Sequence, residues 1–454
     1  MTDSRRLTPA LIYAALTTSV VSSLGMLLVP SIAADLSVGV GAAQWMLTIN
    51  LMVGAVATPI MGRLSDGPGT RPLLLASLGV IFVGSVVAAV APNFSIFLIG
   101  RALQGLSYGI VPVTIVLARR HLAKAQVDPA ISSLSVTVAT GLGIGYPLTG
   151  VIASVSDFRA AFWFAAAFVL TAFIVVWLLV PNSDETRSAA KFDVIGATLL
   201  SVGLASLLTA VSQGPTWGWL SASTLGLGVL AVATLVAWAL YELRTSHPLI
   251  NLHVIRQSPD VLLANATAIG LGATLYMSLS TASIIAQAPT ATGYGLELPL
   301  FWAGFVMLPL SVGSFTGNRF VRRLNPSSTA AMLPVGATVM ASAALMLWLT
   351  KDTLWEILLG MALFGLGMGA AYAAMPTLIA RNVAISEVGS AVSFNQVLRT
   401  VGGAAGSAAV GAVLAARPGQ DGIDIALGVA AVAGTIVCLA LIVNLLRVRR
   451  TQQA

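Results

Sequence analysis

Charge is the scarcest commodity in this chain. Only 9% of its 454 residues are Asp, Glu, Lys or Arg, whereas 57% are hydrophobic, and mean hydropathy is +0.92. A soluble domain carries roughly a quarter charged residues, so this composition cannot clothe a water-exposed surface. Cysteine is nearly absent. The single Cys438 lies in the last apolar stretch, which excludes a disulfide framework and a thiolate metal set. Histidine is equally sparse: His121, His247 and His253 lie in basic loops without zinc-ligand spacing. No metal and no cofactor is expected. Lysine is limited to Lys124, Lys191 and Lys351, an arginine bias that hints at a GC-rich bacterial genome. The net charge of +7 does not mark a nucleic-acid binder. Such a protein needs a contiguous basic face, and here the basic residues stand singly or in pairs beside apolar runs, which suits anchoring at a lipid surface.

What the chain does have is apolar runs of about 20 residues, the length that crosses a bilayer. They fall near 10–33, 43–61, 73–91, 94–118, 131–154, 160–180, 194–212, 220–241, 261–287, 299–318, 328–349, 355–380, 389–415 and 424–446. Arg5 and Arg6 precede the first, which is long enough to be retained as a helix rather than cleaved as a signal. The basic residues sort onto alternate gaps. Arg63 and Arg71 follow the second run. Arg119, Arg120 and Lys124 follow the fourth, Arg187 and Lys191 the sixth, and Arg244 and Arg256 the eighth. Arg319, Arg322 and Arg323 follow the tenth, Arg381 the twelfth, and Arg447, Arg449 and Arg450 close the chain. The opposite gaps hold only Arg159, Lys351 and Arg417. Cytoplasmic loops keep Lys and Arg, so fourteen spans with both termini cytoplasmic are predicted: an all-α polytopic membrane protein.

The spacing divides the chain into six spans (1–180), a polar linker (181–193, PNSDETRSAAKFD), two additional spans (194–256), six more spans (257–446) and a basic tail (447–454). Trp217 and Trp219, between the two additional spans, suit an interfacial belt. The pairs Gly365/Gly369 and Gly402/Gly406 have the small-xxx-small spacing that brings helices close in lipid. They serve either packing alone or sliding between moving parts.

Three stretches carry candidate chemistry. The loop after the second run reads Gly62-Arg63-Leu64-Ser65-Asp66-Gly67-Pro68-Gly69-Thr70-Arg71. In it Asp66 can cap the following helix and pair with Arg71. The fourth run carries Arg101, Gln104, Gly105 and Tyr108, at i, i+3, i+4 and i+7 on one helix face. The fifth holds Gly141, Gly145, Tyr146, Pro147 and Gly150. Arg101 is an intramembrane cation without an intramembrane acid. It either bonds helix carbonyls and amide side chains, or meets a substrate group or a proton path.

At these residues the chain resembles the major facilitator superfamily of transporters. Gly62, Leu64, Asp66, Gly69 and Arg71 match that family's signature between helices 2 and 3, with Gly67 and Thr70 replacing its usual basic residues. Arg101, Gln104 and Gly105 resemble a helix-4 motif tied in the family to proton coupling. The Gly145-Tyr146-Pro147 stretch, with Gly150, resembles the helix-5 motif of exporters, with Tyr146 where a glycine is usual. Fourteen spans, together with His247-Pro248-Leu249-Ile250-Asn251-Leu252 and Arg399-Thr400-Val401-Gly402-Gly403, narrow the resemblance to the 14-span drug:proton antiporters. It implies two six-helix bundles around a midplane cavity, proton-coupled export of amphipathic molecules, and a bacterial cytoplasmic-membrane location. One departure matters. The family commonly carries an acid about nine residues before the helix-1 proline. Counted back from Pro30, that position is Val21, and all sixteen Asp and Glu lie in loops or near span ends.

The polar residues expected to line the cavity are Gln44, Asn50, Tyr108, Tyr146, Asn265, Tyr276, Gln287, Tyr372, Asn395 and Arg399. Each alone could be an interhelical hydrogen bond. Together they describe a polar, aromatic, acid-free lining that favours neutral or anionic amphiphiles over lipophilic cations. A proton-uncoupled facilitator or a lipid-type flippase on the same fold is the alternative. A membrane enzyme lacks the clustered acid–base residues it would need, and no filter-like repeat suggests a channel. The chain is expected to work as a monomer.

Overall fold

The computed structural model describes residues 4–24, 28–43, 45–182, 192–321 and 331–453. Most of the linker, including Arg187 and Lys191, and the basic pair Arg322 and Arg323 lie outside the described residues. Every regular element among the described residues is helical. The first set comprises α1 (Ser4–Ser23), α2 (Val29–Asp35), α3 (Val40–Ala43), α4 (Trp45–Asp66), α5 (Thr70–Val90), α6 (Phe94–Gln104), α7 (Ile110–His121), α8 (Lys124–Val155) and α9 (Phe158–Leu179). A pair follows, α10 (Val194–Trp217) and α11 (Ala222–Glu242). The last set comprises α12 (Leu252–Gln257), α13 (Pro259–Gln287), α14 (Leu300–Phe305), α15 (Leu308–Val321), α16 (Met332–Leu349), α17 (Leu354–Asn382), α18 (Val388–Ala416) and α19 (Gln420–Gln453).

Among the described residues, eleven helices are long and apolar enough to cross a membrane. The remaining expected spans fall on α1, on α8 and on the α14–α15 pair. The fourth span, read from sequence as one rod, is broken: between α6 and α7 the segment Gly105–Gly109 winds as a tighter 3₁₀ helix. Helix ends sit where short polar side chains can take orphan N–H groups. Asn93, Asp157, Asp193 and Ser221 each accept from the first turn of the helix they open, and Thr353 and Glu356 form a capping box at α17.

Between helices the contact is made by small residues. The Gly365/Gly369 stripe of α17 rests on the backbone of Leu310 and Ser314 in α15, and Gly402/Gly406 of α18 on Ile269 and Ala273 in α13. In lipid, where apolar burial drives little association, this close approach supplies the packing energy. Gly369→Leu forces its side chain into a neighbouring backbone that cannot move aside. The expected result is aggregated protein in size-exclusion chromatography after detergent extraction, while Gly226→Leu on the outward face of α11, with open space around it, elutes as wild type.

α8 touches both sets. Its Gly141 and Gly145 lie on Ser19 and Ser23 of α1, and its Gly143 lies on α15. There Ser311 donates to the Thr140 carbonyl, and Ser132 donates to Asn318 at 2.5 Å. The α10–α11 pair is clasped at one end by the Tyr241 hydroxyl donating to Asp193, the N-cap of α10 (3.2 Å), while Trp238 donates to Glu242 one turn along α11 (2.9 Å). α10 does not stand aside from the rest: it packs against α4 and α18, bridging the first and last sets. α11 is the outer member, with Val229 70% exposed.

Candidate functional site

At the end of the bundle that carries most of the basic loops, the first and last sets are stitched together. Asp66 ends α4 and is buried. Its Oδ1 accepts from the Gly389 N–H (2.6 Å) and its Oδ2 from Ser390 N–H (2.9 Å). A carboxylate thus sits on the free donors and positive dipole end of α18. The contact is possible because Gly62 and Gly389 face one another so closely that a Cβ on either would strike the other's carbonyl. This corrects the expected geometry: Asp66 neither caps α5 nor pairs with Arg71. The residue before α5 is Gly69, at φ +84°, a left-handed turn that leaves Asp66 pointing across the seam. Arg71 instead reaches α9 and its exit, donating to the Trp177 carbonyl (2.6 Å) and to Asn182. The cation that braces the turn is Arg120, through the carbonyls of Asp66 (2.7 Å) and Gly67 (3.0 Å) and the Thr70 hydroxyl (2.6 Å). Arg381 adds an ion pair to Asp128 (2.7 Å), and Arg119 donates to the Val383 carbonyl (3.1 Å).

Deeper in the bundle lies Arg101, 1% exposed. Burying an arginine without an acid is costly unless its donors are met. They are met by oxygens of three helices: Nε donates to the Met46 carbonyl (3.3 Å), and Nη1 to the Val21 carbonyl (3.3 Å) and to Gln104 Oε1 (2.6 Å). The guanidinium also stands 5.6 Å from the centre of the Phe162 ring. Gln104 is held in turn by Ser85 (2.8 Å). Where the resemblance leads one to expect a carboxylate, the arginine finds the backbone oxygen of Val21. Gly105 follows because Asn50 and Val53 of α4 press on it. Asn50 belongs to this assembly and not to a cavity wall: its amide donates to the Arg101 carbonyl (3.1 Å).

The tyrosines expected around a cavity are gathered. Tyr276 stands within electrostatic reach of Tyr108, Tyr146 and Tyr372. Arg399 lies 4.6 Å over the Tyr372 ring. Gln396 of α18 donates to the Tyr108 carbonyl (2.6 Å), tying the last set to the 3₁₀ segment. Pro147 and Gly150 are buried in α8, which runs unbroken through Pro147. Other expected lining residues are elsewhere. Asn265 and Asn395 are spent on the α13–α18 contact, Asn395 donating to Asn265 (3.1 Å) and to the Ala264 carbonyl (3.0 Å). Gln287 is exposed at the end of α13, bonded to Ser283. Gln44 lies outside the described residues.

An open cavity of about 640 Å³ adjoins Tyr276, between α4, α10 and α18. Thr48, Ser212, Thr216, Thr400 and Ser407 contribute its hydroxyls. Thr216 is the penultimate residue of α10, at the end remote from the linker, so the cavity lies toward the end of the bundle opposite the Asp66 contact. The sequence reading missed Ser212 and Thr216. The available signal was a polar cluster, Ser212-Gln213-Gly214-Pro215-Thr216, closing an otherwise apolar helix.

Comparison with known proteins agrees with this architecture. The Major Facilitator Superfamily model matches residues 10–407. The tetracenomycin C resistance and export protein of Streptomyces glaucescens is 26% identical over 406 residues, covering 86% of this chain and 72% of that one. The puromycin resistance protein of Streptomyces alboniger is 28% identical over 398 residues, covering 85% and 76%. The multidrug transporter MdtP of Bacillus subtilis is 26% identical over 405 residues, covering 86% and 72%. In fold alone, the crystal structure of the human organic anion transporter MFSD10 aligns with a TM-score of 0.67 at 16% identity, covering 97% of this chain and all of that one. This multi-pass membrane protein, related to drug and antibiotic efflux proteins, belongs to the Major Facilitator Superfamily.

Proposed function

We propose that the chain exports hydrophobic or amphipathic small molecules from a bacterial cytoplasm by alternating access. It would use fourteen spans arranged six, two and six, with both termini inside. The observation that carries this reading is a polarity of closure. One end is latched by Asp66 on α18, and a hydroxyl- and tyrosine-lined cavity lies toward the other. That is the arrangement of an outward-facing carrier built from two rocking units. The names of the resistance and export relatives point the same way. The tyrosines and Arg399, without an acid among them, suit a neutral or anionic amphiphile.

Proton exchange is the driving force the resemblance implies, through Arg101, Gln104 and Gly105. The Val21 contact favours a second reading, facilitation without protons, because the group opposite Arg101 cannot titrate. Efflux of a fluorescent amphiphile from proteoliposomes tests both. Tyr276→Ala is expected to cut the rate about tenfold, the loss when one aromatic wall of a site is removed. A rate equal to wild type rejects the site. Collapse of efflux with an uncoupler supports antiport, and an unchanged rate supports facilitation.

A further inference from the structure

We propose that the cavity between α4, α10 and α18 is a binding pocket for an uncharged amphiphile, with α10 as one of its walls. The proposal rests on the export reading, because the pocket shares Tyr276 with the tyrosine cluster.

The lining chemistry sets the ligand class. Three helices send hydroxyls into one space: Thr48 from α4, Ser212 and Thr216 from α10, Thr400 and Ser407 from α18. Among the described residues, no charged side chain lines it. An ion entering there would lose hydration without finding a counter-charge, whereas a ligand hydroxyl, ether or carbonyl finds both donors and acceptors. The α18 wall is kept low by small residues between Gly403 and Gly411, so apolar ligand bulk can lie against the helix. Gly403 seats the Tyr276 ring, and Gly411 meets only Pro215 of α10. A volume of about 640 Å³ accommodates one drug-sized molecule.

α10 also supplies a way to open and close the polar wall without stranding a group. The Ser212 and Thr48 hydroxyls hydrogen-bond each other at 2.6 Å across the α4–α10 seam. A ligand that separates them replaces that bond with its own, so neither hydroxyl is left unpaired. The exchange is close to neutral in free energy for a neutral polar ligand and unfavourable for an ion.

The test uses the full chain in nanodiscs and chloramphenicol, a neutral amphiphile with hydroxyl and amide groups. Its hemisuccinate is the anionic counterpart. Cys438 is the only cysteine and is buried, so Thr216→Cys in a Cys438→Ala background places one reactive thiol at the pocket. Chloramphenicol is expected to slow maleimide labelling of that thiol about tenfold at saturation, and the hemisuccinate to leave it unchanged. Ser212→Trp, which fills the pocket, is expected to weaken chloramphenicol binding about tenfold by equilibrium dialysis, and Gly226→Trp on α11 to leave it unchanged. Labelling that chloramphenicol does not slow, or that both compounds slow equally, overturns the proposal. Protection in a chain that transports nothing would remove the export reading and leave the pocket standing. Export by a chain whose Thr216→Cys thiol is never protected would do the reverse.

Discussion

Asp66→Asn is expected to unlatch the basic-loop end. Both carboxylate oxygens accept from N–H groups at the start of α18. An amide keeps one acceptor and turns a donor toward the second N–H, so one charge-assisted bond is lost and a repulsion replaces it. The cost is about 3 kcal/mol, a factor of roughly 100 in the balance between latched and open forms. A cysteine in place of Ser393, which is buried against Gly62, reports the change in a Cys438→Ala background. It should be closed to a water-soluble maleimide in the parent and labelled rapidly with Asp66→Asn, while net efflux falls by an order of magnitude or more. Equal labelling of the two rejects the latch. Arg71→Ala, by contrast, leaves this contact intact, because Arg71 bonds α9 and its exit.

The second large effect belongs to Arg101. Arg101→Ala removes a fully buried side chain with its bonds to Met46, Val21 and Gln104. A loss of about 2–4 kcal/mol in stability follows from the unpaired Gln104 and the void left behind. It is read as a lower melting midpoint in detergent. Arg101→Lys keeps the charge, yet a compact ammonium cannot span acceptors on three helices, so it should recover only part of the stability. Stability alone does not establish coupling. If Arg101→Ala, assayed at a temperature where it is folded, transports at the wild-type rate with an unchanged pH profile, Arg101 serves architecture only. A flattened pH profile assigns it to coupling.

Much of the helical framework was legible from apolar run length, and the close helix contacts from glycine spacing, because both are local properties of the chain. The Gly365/Gly369 and Gly402/Gly406 stripes lie at backbone contacts as their spacing predicted. The partner of Asp66 was not legible, since it lies 323 residues away and is a pair of backbone N–H groups without a side-chain signature. The break at Gly105–Gly109 was hidden for a similar reason. Gly105 reads as part of the Arg101 motif and Gly109 gives no signal of its own, whereas in the fold Asn50 and Val53 press on the first and Met61 on the second. Asn265 and Asn395 were read as cavity residues because a buried amide looks the same in sequence whether it faces a ligand or another amide. α10 was the largest omission. Apolar periodicity says that a helix crosses the bilayer, not which seam it covers.

Many of the acceptors that organise this membrane interior are main-chain oxygens. Arg101 bonds Val21 and Met46, Asn50 bonds Arg101, Gln396 bonds Tyr108, Asn395 bonds Ala264, and Thr18 bonds Ser107 within the tightened turn. A peptide carbonyl has no proton to gain or lose in the physiological range, and no codon change deletes it. These main-chain bonds are therefore insensitive to acidity on either face of the membrane, and drift can alter their donors but never their targets. A lineage carrying this chain is free to exchange the polar side chains on its helices for others that reach the same oxygens, changing what it transports while the frame stays fixed.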